Sequence, residues 1–171
     1  MRENLMENET LGQGFMTKEQ QNIRYEQGVI SRGKGKKRLS DYFSEIVNLD
    51  NLSIQRIIRE INAHDLSKSL KIADDKVRNK IFRNLTNEML TELRDKMENM
   101  ESVMPRDIEE AQGIILIKIM DLNREGEISI PEVLSQNYED ILCLYFNASA
   151  DIIIDNDEEF LSVLHKILHS R

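Results

Sequence analysis

An all-α fold, a compact bundle of short helices, follows from three features of the sequence. Apolar side chains recur at spacings of three and four, as Ile54, Ile57, Ile58 and Ile61 do, which is the stripe of a helix that buries one face. Residues that favour helix starts, Asn62, Asp74 with Asp75, and Thr86, divide the apolar pulses at short intervals. Aromatic residues are scarce, five Phe, four Tyr and no Trp, so the core is aliphatic and suits helix stripes better than an aromatic-rich sheet.

In chain order, residues 1–38 read as a flexible polar and basic arm. Leu11, Phe15, Ile23, Tyr25 and Ile30 keep no sustained period, and the arm ends in the basic run Arg32-Gly-Lys-Gly-Lys-Lys-Arg38. Beside a domain such a run is a hinge more often than a lipid contact. Residues 39–130 read as the helical domain. Arg38 to Leu49 is its expected first helix, capped by Ser40, with Tyr42, Phe43, Ile46, Val47 and Leu49 as contacts.

The stripe around Ile54–Ile61 follows, then Leu66, Leu70 and Ala73, then Val77, Ile81, Phe82 and Leu85. Thr86 to Met100 forms the next helix. Leu85, Met89, Leu93, Met97 and Met100 mark its apolar side, and Glu88, Glu92, Asp95, Lys96 and Asn99 lie on or near the other. Such a charged ridge also describes any solvated helix surface. Pro105 then suits the first turn of a long helix that runs to about Arg124, with Gly126 as its stop. Because 113–120 is apolar nearly all round, that helix is the expected spine.

Residues 131–171 read as an acidic, mainly helical extension, with one helix around Ile141–Phe146 and a closing helix from Asp157 to about His169. The extension holds two basic and eight acidic side chains out of a chain total of 23 and 31. A net charge of −8 disfavours nucleic acid, whose binding rests on a surplus of Lys and Arg. The single Cys143 excludes an intrachain disulfide and fits a cytosolic protein. Ile114–Met120, the most apolar run, is too short to span a bilayer and is interrupted by Lys118.

Five separated runs carry more information. Asp50-Asn-Leu-Ser-Ile-Gln-Arg-Ile-Ile-Arg-Glu-Ile61, Leu70-Lys71, Ile81-Phe-Arg-Asn-Leu85, Leu93-Arg-Asp95 and Ile108-Glu-Glu-Ala-Gln112 keep their order and spacing. Together they resemble the C-terminal, torque-generating domain of FliG, the flagellar motor switch family, over about Phe43 to Ile128.

That resemblance implies a compact helical bundle and a place in the flagellar rotor, peripheral at the inner membrane on its cytoplasmic side. It also implies contact between a ridge of charged side chains and the charged cytoplasmic loop of the stator, with other switch proteins as further partners. Complementary charge steers such a transient contact without holding it tightly, and no bond is made or broken.

By register the stator-facing residues are Lys71, Glu88, Glu92, Asp95 and Lys96. Lys71 and Asp95 agree in sign with the family, whereas Glu88 stands at a family Arg, Lys96 at an acid, and Met104 at the Arg of a Gly-Pro-Val-Arg turn that here reads Glu101-Ser-Val-Met104. Arg106, two positions on, reads as a solvated helix-start cation. Of the family's Met-Phe-x-Phe hinge only Phe43 is kept. Residues 1–42 supply neither the N-terminal nor the middle portion of a usual FliG, so a domain-only accessory or regulatory paralogue is the second expectation.

Two metal patterns compete with this. Asp121 to Glu132 fits a twelve-residue EF-hand calcium loop, with Asp121, Asn123, Glu125, Gly126, Ile128 and Glu132 in position, although Glu125 is long for its place and no second loop pairs with it. His165 and His169 stand four apart without a third ligand. No cofactor or metal is expected. No nucleophile with its base, no phosphate-cradling glycine loop and no paired catalytic acids are recognisable, so an enzyme is not expected.

Overall fold

The structure, a computed structural model, describes residues 37–149. The expected polar arm before Lys37, the closing helix Asp157–His169 and the His165/His169 pair lie outside the described residues.

All regular structure among the described residues is helical: α1 (Leu39–Phe43), a 3-10 turn (Ser44–Asn48), α2 (Asn51–Glu60), α3 (Ala63–Leu70), α4 (Asp75–Phe82), α5 (Asn87–Asn99), α6 (Pro105–Arg124), α7 (Glu132–Ser135) and α8 (Tyr138–Ser149). Local chemistry sets most of the starts. Asp50 accepts hydrogen bonds from the Ser53 amide at 2.8 Å and its hydroxyl at 2.7 Å; Asn62 accepts from the Asp65 amide at 2.8 Å and Thr86 from the Met89 amide at 3.2 Å. Asp74 takes the cap position of α4 without a side-chain cap bond.

Two expectations at the start of the domain are corrected. The predicted single helix to Leu49 breaks after Phe43 into the 3-10 turn, and Ser40 lies inside α1 rather than capping it. The helix start is held instead by Asp41, whose carboxylate reaches back to accept the Arg38 amide at 2.7 Å.

α6 is the spine. It packs most extensively against α8 and α3 and also meets α1 and α2. Ile108, Ala111, Ile115, Leu116, Ile119, Met120 and Leu122 are buried along it, against Leu39, Phe43, Ile54, Leu70 and Ile141 from its neighbours. Its end is a Schellman turn. The Glu127 amide donates to the Leu122 carbonyl at 2.9 Å, the Gly126 amide donates to the Asn123 carbonyl at 3.0 Å, and Gly126 adopts φ +76°. Support for the outer helix therefore runs from α6 through α3 to α5, which packs chiefly on α3.

Candidate functional site: the outer face of α5

At 100° per residue, Glu88, Glu92 and Asp95 fall within about 60° of one another on α5, opposite Leu93. Leu93 is the residue of α5 that is fully buried, while Glu88, Glu92, Asp95 and Lys96 are all exposed. Thr86 fixes the start of the helix, and the Arg94 guanidinium lies 5.4 Å from the centre of the Phe82 ring, tying the back of α5 to α4. The ridge is thus one stripe on a helix held from behind.

The charges on that stripe are not equivalent. Lys96 pairs with Glu92 at 3.0 Å across one turn, an exposed contact worth a few tenths of a kcal/mol, ~0.3–0.5. Glu88 and Asp95 form no ion pair among the described residues. Asn87, Glu88, Met89, Thr91, Glu92 and Asp95 line a shallow open depression on this face. Met89, expected on the apolar side, is instead 42 % exposed within that depression.

Lys71 is placed by α3, one residue beyond its end, and is half-buried. Its ammonium donates to the carbonyl of Met97 at 2.7 Å and points a longer bond, 3.4 Å, to that of Met100. These are carbonyls of the last turn of α5, where a cation offsets both the unmet acceptors and the negative end of the helix dipole. Lys71 thus fastens α3 to the foot of the ridge helix while staying beside it. Register with the family pointed to Lys71 in the sequence; which carbonyls it meets depends on how α3 and α5 cross.

Arg106 is corrected. It is half-buried, and its Nε donates to the carbonyl of Ala148 at the end of α8. It is committed to holding the extension and does not stand in for the cation absent at Met104, which is itself the half-buried residue before Pro105.

The calcium-loop geometry is also corrected. Asp121 and Asn123 remain inside α6, so the first positions of the twelve-residue pattern are helical and their side chains diverge. Arg124 binds Asp121, Arg56 binds Glu127, and Gln136 donates to Glu132. Among the described residues no three His, Cys, Asp or Glu side chains converge as ligands. The segment is a helix stop in which Asp121, Glu127 and Glu132 each have a separate partner.

Fold and site together define a class: a helical domain that displays a charged helix packed on the rest of the bundle. Residues 37–130, just over half of the chain, match the family described as "FliG C-terminal domain", and the chain belongs to that family. It is 41% identical over 88 residues to the flagellar motor switch protein FliG of Bacillus subtilis, and likewise 41% identical over 88 residues to that of Thermotoga maritima. Each alignment covers 52% of this chain and 26% of the relative, so the match spans about a quarter of those proteins. A crystal structure of FliG residues 116–343 from Helicobacter pylori superposes with a TM-score of 0.50 at 28% identity, covering 51% of this chain and 38% of that one. Among the described residues no helix is long and apolar enough to cross a membrane.

Proposed function

We propose that this chain is a rotor component of the flagellar motor, peripheral at the cytoplasmic side of the basal body, and that it works through protein contact rather than through catalysis. Membership of the FliG C-terminal family supports the rotor assignment. The contact we assign is with the charged cytoplasmic loop of the stator, through Glu88, Glu92, Asp95 and Lys96, with Lys71 at the foot of the ridge. The observation that carries it is the single exposed stripe on α5, in which Glu88 and Asp95 are left without counter-ions among the described residues.

The sign of that stripe names the partner's chemistry. Lys96 is matched by Glu92, and the Lys71 ammonium is spent on backbone carbonyls, so the surplus facing outwards is negative. A basic segment is then favoured and an acidic one repelled. The departures at Glu88, Lys96 and Met104 favour a second reading, an accessory or regulatory paralogue that keeps the bundle and contacts a different segment.

The test is binding of the full chain to peptides of the stator's cytoplasmic loop. Glu88→Lys with Asp95→Lys should weaken binding at least tenfold at low salt and flatten its salt dependence. An unchanged Kd in the double variant rejects the stator contact. Binding of the chain at flagellar bases with no stator affinity at all selects the accessory reading.

A further inference from the structure

Gln112 is a polar side chain in an apolar row. It is 1 % exposed, on the face of α6 that otherwise carries Ile108, Ile115, Leu116 and Ile119. Its amide nitrogen donates to the Ser69 carbonyl at 3.2 Å, while its amide oxygen is buried with no partner among the described residues. The reverse orientation would set that oxygen against the carbonyl, so one orientation is open to it. An apolar side chain of similar volume would leave no such orphan, so the use of the amide lies in the bond that it makes.

That bond falls at the end of α3. Ser67 and Ser69 are fully buried, but their hydroxyls turn back to the carbonyls of His64 and Leu66, both at 2.8 Å, and do not bridge to α6. The Ser69 carbonyl belongs to the last turn, where the helix supplies no amide for it: the Lys71 amide goes to the Lys68 carbonyl and the Ala73 amide to that of Leu70. Gln112 supplies the missing donor. Two residues further on, the Lys71 ammonium donates to the Met97 carbonyl at 2.7 Å in the last turn of α5. Two hydrogen bonds and a short stretch of backbone thus join the spine, through the end of α3, to the foot of the ridge helix.

We propose that Gln112 is a positioning residue for the ridge: it holds the last turn of α3 where Lys71 reaches the foot of α5, and it does so without adding to overall stability. Leu66 and Leu70 bury α3 against the core, but apolar contact is non-directional and leaves the turn free to rotate. A hydrogen bond from a buried amide is directional and removes that freedom. The inference takes the outer face of α5 as the working face, as proposed above, yet it is read on the attachment of α5 alone. Its test is therefore separate from that of the stator contact.

Hydrogen exchange and urea unfolding of the full chain test this with Gln112→Met and, separately, Gln112→Leu. The urea midpoint should hold or rise, since the orphan oxygen removed offsets the donor lost to Ser69. Protection of the amides in the last turn of α5 should fall about fivefold while that of α2 stays level. In a Lys71→Met chain, whose path is already cut, the same substitutions should cause no further fall. Unchanged protection at the foot of α5 overturns the proposal. So does a loss shared equally by α2, a fall that adds in full to that of Lys71→Met, or a midpoint lowered in both variants.

Discussion

α5 and α6 are both charged, amphipathic helices in sequence, yet they do opposite work. α6 is walled by four helices and buries nine residues, whereas α5 leans on α3 and buries Leu93 alone. The lesson is that side-chain identity on α6 is answerable to packing, and on α5 to whatever meets it in water.

That contrast can be broken or sharpened by substitution. The largest effect is expected from Leu116→Ala, since Leu116 is fully buried at the centre of the spine. The lost contacts and the residual cavity should cost about 2–5 kcal/mol in urea unfolding. A cost under about 1 kcal/mol would mean that α6 is not the spine.

Next comes Gly113→Ala. Alanine improves helix propensity by about 1 kcal/mol, yet its methyl would strike the Tyr145 ring. Overpacking of about 1–3 kcal/mol should outweigh the gain, and Tyr145→Ala in the same chain should recover part of the loss. A stabilised single variant would show that α8 does not seat closely on α6.

Lys71→Met keeps most of the length of the side chain and removes its ammonium. Two carbonyls at the foot of α5 then lose their donor, and a drop of about 1 kcal/mol is expected, seen as faster exchange in the last turn of α5. If instead stability holds and only partner binding changes, Lys71 belongs to the ridge and not to its fastening.

The smallest effect should come from Glu92→Gln. It removes one exposed ion pair and should change stability by no more than about 0.5 kcal/mol, measured by thermal unfolding. A larger loss would place Glu92 among the packing residues and undo the distinction between the two helices.

Much of this was legible before any coordinates. Ile54, Ile57 and Ile58 are buried as their spacing requires, Asn62 and Thr86 cap the helices that they precede, and Pro105 and Gly126 bracket α6. Each of these depends on neighbours within one or two turns. The stripe of Glu88, Glu92 and Asp95 was legible for the same reason, since the helix period alone puts them together.

What the chain's own order could not reveal was which groups become partners across space. Lys71 looked like a ridge cation until the crossing of α3 and α5 set its ammonium on Met97 and Met100, and Arg106 looked solvated until α8 brought Ala148 to it. The calcium pattern read as a loop although α6 runs on through its first positions. Local periodicity and capping are short-range and are written into the sequence; the burial of a charge and its choice of partner arise only when helices distant in the chain are packed against each other.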